Sequence, residues 1–393
     1  MKISKNRFIF IIFLLLAALF LRFGLVSRLL AEGNNTWLRM LSVFLILGIG
    51  AAFVLRGTAK VIEETTAVLS EKTKLAGGLL QSFGTAFPDM VLGIIAALIS
   101  LRLRSVDMAK AINFGIIAAA TTFGSNIYNI GHAAWCIFRQ NLANQKNKII
   151  NMFPKIKKGG QLLPIAEHST KPAMAEIDNA IDVSTVLTVL TAVVAVSMVL
   201  FGQIKNPPAG IKGDLYQLIR PVGFAILILS VFVLYFFRKT KRTENPLAEI
   251  TEGEQYYRER PGFVLWSNLL LSGATILIAA ESMVQAVEVF CDITGVPFVV
   301  AGVLTGIIGC LGEIIVVHNF SVNPKGRIGD AITGVAMDNI VTIAGAAIVA
   351  IMGGIFLGGN ALILIFVVIL TLNTVLVWQL SRLKNYFMKT KTG

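Results

Sequence analysis

The chain has 393 residues, 55% of them hydrophobic and only 15% charged, with a mean hydropathy of +0.75, far from the quarter-charged mix of soluble domains. A formal net charge of +13 would point to nucleic acid in a soluble protein. Here the basic residues fall in the connections between apolar stretches, where they report membrane orientation, so the expected partner is a lipid bilayer and no nucleic-acid partner is expected.

An apolar stretch of roughly 18 or more residues crosses the ~30 Å hydrocarbon layer as a helix, and such stretches recur along the chain. In order they are Phe8–Leu25, Leu41–Leu55, Leu75–Leu101, Ala111–Phe138, Val183–Phe201, Pro221–Phe237, Phe263–Phe290, Val296–Val317, Gly329–Met352 and Ala361–Leu380. The fold class expected is therefore an all-α polytopic membrane protein of about ten transmembrane helices. The first stretch, preceded by Lys2, Lys5 and Arg7, has the alternative reading of a signal peptide, without an evident Ala-x-Ala-like cleavage site. An inside amino terminus with alternating crossings puts most Lys and Arg in cytoplasmic segments, which favours both termini in the cytoplasm; the membrane expected is the plasma (cell inner) membrane.

Two segments are polar enough to leave the bilayer, Arg139–Asp182 and Arg238–Pro261, and the second lies near the middle of the chain. The expected organisation is an extra amino-terminal helix or signal anchor (1–30) and a first half (36–237) containing a repeat (75–138) and a cytoplasmic loop (139–182). A cytoplasmic linker (238–262), a second half (263–382) with its own repeat (296–352) and a cytoplasmic tail (383–393) follow. The repeats are carried by "GTAFPDM" (Gly84 to Met90) against "GCLGEII" (Gly309 to Ile315), and by "GSNIYNI" (Gly124 to Ile130) against "MDNIVTI" (Met337 to Ile343). Aligned, Asp89 pairs with Glu313, Ser125 with Asp338, Asn126 with Asn339 and Asn129 with Thr342. The two acidic spans are an odd number of crossings apart, so the repeats have inverted topology, a plan characteristic of alternating-access transporters.

A carboxylate in a transmembrane span costs at least ~2.5 kcal/mol, so it faces a cavity, a partner or an ion. Asp89, Glu313 and Asp338 are three such groups, each beside glycine, proline or small residues that are expected to break the helices around a cavity. Hard cations such as Ca²⁺ take six to eight oxygens from carboxylates, carbonyls, amides and waters. Thr85, Ser125, Asn126, Asn129, Asn339 and Thr342 supply the neutral oxygens, and metal cations are the expected substrates. Cys136, Cys291 and Cys310 are isolated, and no His or Cys cluster accompanies the acids, which argues against zinc or copper. His132 and His318 are read as interfacial or hydrogen-bonded residues, His168 as a solvated loop residue, and Glu63 and Glu64 as reaching the inner surface. No resident cofactor and no enzymatic activity are expected.

The pair "GTAFPD" and "GSNIYNI" resembles the first alpha repeat of the calcium/cation antiporter superfamily, whose pattern is GTSxPE followed by GSNIxNI. The resemblance implies inverted halves joined by a cytoplasmic loop, and Ca²⁺ and Na⁺ sites built from Asp89, Thr85, Ser125 and Asn129. The second repeat departs further, with Cys310 and Gly312 where Ser and Pro stand in the family and Asp338 where the Ser of GSN would lie. Ala86 likewise replaces a Ser that serves the family's sodium sites. The function implied is exchange of Ca²⁺ for Na⁺, with a cation/proton exchanger as the alternative. An intramembrane aspartyl protease, for which the chain offers only "RIGD" at Arg327 to Asp330, and a channel are more remote.

Overall fold

The computed structural model describes residues 7–73, 79–153, 155, 160–165, 172–208, 214–238, 252–322, 328–353 and 355–391. Eleven helices carry the described fold: α1 (Arg7–Leu29), α2 (Thr36 to Thr73), α3 (Leu79–Leu103), α4 (Met108–Lys146), α5 (Met174–Phe201), α6 (Arg220–Arg238), α7 (Glu252–Arg258), α8 (Gly262–Thr294), α9 (Phe298–Val322), α10 (Ile328–Met352) and α11 (Gly359–Lys391). Eight of them contain a span long and apolar enough to cross a membrane, namely α1, α2, α5, α6, α8, α9, α10 and α11. In α3 the shorter apolar stretch Met90–Leu103 is described, and α4 is a 39-residue helix of more mixed composition. The chain is an integral, multi-pass membrane protein.

Burial sorts these helices. In α10, 78% of the most apolar window is buried, against 22% in α6 and 33% in α1. A helix apolar on every face and enclosed on every face is a central one, so the helix carrying Asp338 and Asn339 is central. The outer helices show bulky side chains outward, such as Phe13, Phe20 and Phe23 on α1 and Phe232 and Phe236 on α6, as a lipid-facing surface requires. Three ion pairs tie helices together. Arg7 meets Glu64 at 2.9 Å, Arg22 meets Glu281 at 3.0 Å and Lys110 meets Glu288 at 2.9 Å, tying α1 to α2, α1 to α8 and α4 to α8. Glu64, expected from sequence to reach the inner surface, is thus held inside the protein. It is 2% exposed, because Arg7 and, at 3.9 Å, Lys60 compensate its charge within the protein.

Local chemistry sets the helix ends. Asn35 Oδ1 accepts from the Trp37 amide at 3.0 Å and caps α2, while Asp107 accepts from the Lys110 amide at 2.9 Å and caps α4. Helix α4 ends on Asn147, in the left-handed region at φ 47°, and α8 on Gly295 at φ 72°. Both π-helical stretches, Phe20–Val26 and Gly50–Leu55, lie in the amino-terminal hairpin, where Gly50 sits against Met283 of α8.

The polar segment from Arg139 is shorter than its composition implied, since α4 continues to Lys146 and α5 begins at Met174. Five short strands, which an all-helical reading does not foresee, close the connections. Ile150–Asn151 pairs antiparallel with Gln161–Leu162, and Gln203–Ile204, Leu215–Gln217 and Phe356–Gly358 form a second antiparallel sheet. Most of the expected linker, residues 239–251, lies outside the described residues, as does His168; the described part begins with α7.

Glu176, in the first turn of α5, caps α10 from outside: its Oε1 accepts from the Gly329 amide at 2.9 Å and the Asp330 amide at 3.4 Å. A carboxylate at a helix amino terminus satisfies orphan N–H groups and complements the dipole. Glu176→Ala leaves these donors buried, and a loss of roughly 2 kcal/mol is expected from the charge-assisted bonds. Thermal melts in detergent check this, and an unchanged midpoint would contradict the cap.

Candidate functional site

The site grows from a close helix crossing. Helix α9 presents Gly302 and Gly306, spaced four apart on one face, to Ile117, Ala120, Thr121 and Ser125 of α4. A Cβ at Gly306 would lie 2.7 Å from the Ser125 nitrogen and 2.8 Å from the Thr121 carbonyl oxygen. From the other side, a Cβ at Gly124 would lie 2.7 Å from the Val303 Cα. Backbone touches backbone here, the close approach that small residues permit between membrane helices. The same device brings in the neighbours, with Gly93 of α3 against the Thr122 hydroxyl and Gly345 of α10 against the Met90 sulfur.

Beyond this crossing two polar side chains of the motifs meet. The Asn129 Nδ2 of α4 donates to the Glu313 Oε2 of α9, joining the first-half and second-half motifs directly. Ser125, Asn126, Asn129, Glu313, Asp338, Asn339 and Thr342 are all buried. The hydroxyls of Ser125 and Thr342 donate to carbonyls of their own helices, Thr122 at 2.9 Å and Asp338 at 3.0 Å, which leaves oxygen lone pairs available as acceptors. Among the described residues, both amide atoms of Asn126 and both of Asn339 lack a hydrogen-bond partner, although each residue is 0% exposed. These two asparagines are the pair aligned between the repeats. An unsatisfied buried polar group costs about 1–3 kcal/mol, so two at matched positions need an explanation beyond packing.

Thr85 and Asp89 lie on α3, but their side chains fall outside the described residues. A narrow cavity is described between α3, α4 and α10, lined by Gly93, Thr122, Thr342 and Gly345 among apolar neighbours. Thr122 was not anticipated from sequence. Its place one turn from Asn126, on the same helix face, is the signal that could have found it.

Two expectations are corrected. The helices are not broken at the motifs: α3, α9 and α10 run continuously through Pro88, Gly309 and Gly312, and Gly334. Glycine keeps its N–H and C=O in the helical ladder and acts here through close approach, while a proline removes a single donor. The absence of a His or Cys cluster is also overturned. His132 and Cys136 of α4 meet His318 of α9, and His318 is wholly buried. Cys136, Cys291 and Cys310 are buried thiols outside any disulfide.

No protein-family model matches the chain, and no curated protein matches it by sequence. Solved structures do. The crystal structure of the H⁺/Ca²⁺ exchanger CAX superposes with a TM-score of 0.52 at 16% identity, covering 92% of this chain and 80% of that one. Native YfkE superposes with a TM-score of 0.57 at 13% identity, covering 97% of each chain. The chain shares the fold of these two structures. The sodium-calcium exchanger NCX_Mj, soaked with Na⁺ and Sr²⁺, superposes at 0.44 and 15% identity over 90% of this chain and 98% of that one. Within this chain's fold, α3, α4, α9 and α10 are the four helices that the repeat motifs occupy.

Proposed function

We propose that this protein is a secondary active antiporter that moves Ca²⁺ across a membrane by alternating access, with Asp89, Glu313 and Asp338 supplying the charge of one shared cation site. The observation that carries this reading is the pair Asn126 and Asn339, fully buried, aligned between the repeats and without partners among the described residues. An amide oxygen placed beside carboxylates is a ligand for a hard cation. With Thr85, Ser125, Asn129 and Thr342 they make an oxygen-only set suited to Ca²⁺.

The mechanism follows from charge. A cluster of carboxylates in a low-dielectric surround is too costly to carry across uncompensated, so the protein changes face only when the cluster is occupied or neutralised. Two ions that use the same oxygens bind exclusively of one another, and coupling needs no separate device. For the counter-ion we favour the proton. Ala86 and Cys310 are both 0% exposed and put a methyl and a thiol where the resembled family has serine hydroxyls. A sodium site requires neutral oxygens that these side chains lack, whereas a proton needs only a carboxylate that has released its metal. Exchange for Na⁺ is the second reading, supported by the closer match of the first repeat motif.

Flux of ⁴⁵Ca²⁺ into proteoliposomes tests both. Uptake driven by an imposed pH gradient and indifferent to a Na⁺ gradient is the expected result. The opposite dependence would transfer the assignment to sodium, and uptake driven by neither gradient would remove the antiporter reading.

A further inference from the structure

Outside the oxygen-rich site, α4 and α9 meet again through a different donor chemistry. His132 and Cys136 lie four residues apart on one face of α4, with His132 Nε2 and Cys136 Sγ 3.4 Å apart. The His318 ring of α9 stacks on that of His132 at 5.6 Å between centroids and an interplanar angle of 27°. One ligand atom from each of the three residues falls within 4.8 Å of the others. Two ligands of a tetrahedral metal bound through nitrogen and sulfur stand about 3.5 Å apart, given bond lengths near 2.0 and 2.3 Å. The His132–Cys136 pair is already at that separation.

His318 supplies an independent observation. It is 0% exposed, and neither ring nitrogen has a hydrogen-bond partner among the described residues. A buried imidazole retained without a partner loses the hydrogen bonds it would make with water. Cys136 is also fully buried. Imidazole and thiol are the donors that select Zn²⁺ and related ions over Ca²⁺.

The placement gives such a site a consequence. His132 is three residues beyond Asn129 and His318 five beyond Glu313, about 4.5 and 7.5 Å of rise along the two helices. A metal held here clamps α4 to α9 next to the contact that joins the two halves of the candidate cation site. We propose that His132, Cys136 and His318 form a binding site for a borderline-soft divalent metal ion of the Zn²⁺ class, with a water in the fourth position, and that its occupancy arrests exchange. The binding stands on its own geometry; the arrest rests on the antiporter reading.

Co²⁺ is the probe for binding, because its thiolate complex absorbs in the near ultraviolet. Purified, reduced protein in detergent is expected to take up one equivalent of Co²⁺ with a thiolate charge-transfer band that Zn²⁺ displaces. Cys136→Ser, which nearly conserves volume, should lose the band, and His132→Gln and His318→Gln should each weaken binding at least tenfold. No thiolate band in the wild type, or equal affinity in the triple variant and the wild type, overturns the site. In proteoliposomes Zn²⁺ should inhibit wild-type ⁴⁵Ca²⁺ exchange and spare Cys136→Ser, and undiminished wild-type flux at saturating Zn²⁺ overturns the arrest. A protein that shows the band but moves no Ca²⁺ under any gradient keeps the metal site and loses the antiporter reading.

Discussion

Glu313→Gln is expected to abolish gradient-driven cation exchange while leaving the protein folded. The substitution keeps the side-chain volume and an oxygen to accept from Asn129 Nδ2, so the bond between α4 and α9 survives. What it removes is one negative charge from a site that has to balance a divalent ion. If that charge contributes even the ~2.5 kcal/mol associated with a carboxylate in a membrane span, the initial rate at limiting Ca²⁺ falls by roughly 50-fold or more. Asp89→Asn carries the same expectation from its motif and its pairing with Glu313 in the repeat. Melting temperature in detergent should hold or rise, because each variant carries one carboxylate fewer in the empty site. The measurement is ⁴⁵Ca²⁺ uptake under imposed pH and Na⁺ gradients, normalised to inserted protein. Wild-type rates in both variants would reject a shared carboxylate site under either coupling ion.

Much of this arrangement could be read from the chain before any coordinates. Hydropathy located the helices because a membrane-spanning helix must satisfy its own backbone, so length and apolarity alone mark it. The motifs put Glu313 and Asn129 in one expected set of oxygen donors, and the structure joins these two by a hydrogen bond. What was not legible is tertiary. That Glu64 is buried depends on Arg7, 57 residues away on another helix. The i, i+4 spacing of His132 and Cys136 is visible in sequence, but nothing in the sequence brings His318 to them, because no motif fixes how α9 rotates against α4. Glycine was misjudged for a related reason. Near Asp89, Glu313 and Asp338 it was expected to interrupt helices, whereas Gly124, Gly302 and Gly306 leave them intact and set how closely they cross. A glycine's role depends on what lies opposite its missing side chain.

Gly306→Ala turns that statement into a measurement. The added methyl would meet the Ser125 nitrogen at 2.7 Å, the Thr121 carbonyl oxygen at 2.8 Å and the Gly124 carbonyl carbon at 3.0 Å. All three are backbone atoms of a packed helix, so no side-chain rotation relieves the clash and α4 and α9 must separate. Overpacking of this kind costs about 1–3 kcal/mol, and more where the obstacle cannot move. Gly312, on the same helix and next to Glu313, is the matched control, since a Cβ there has nothing within 4 Å. Alanine at either position gains the same small helix propensity, so the comparison isolates the contact. Gly306→Ala is expected to melt several degrees below the wild type and below Gly312→Ala in the same detergent. It should also impair exchange, because parting the helices draws Asn129, one turn beyond Ser125, away from Glu313. Equal melting temperatures for the two variants would mean that α4 and α9 do not cross at Gly306, and the candidate site built on that crossing would fall with it.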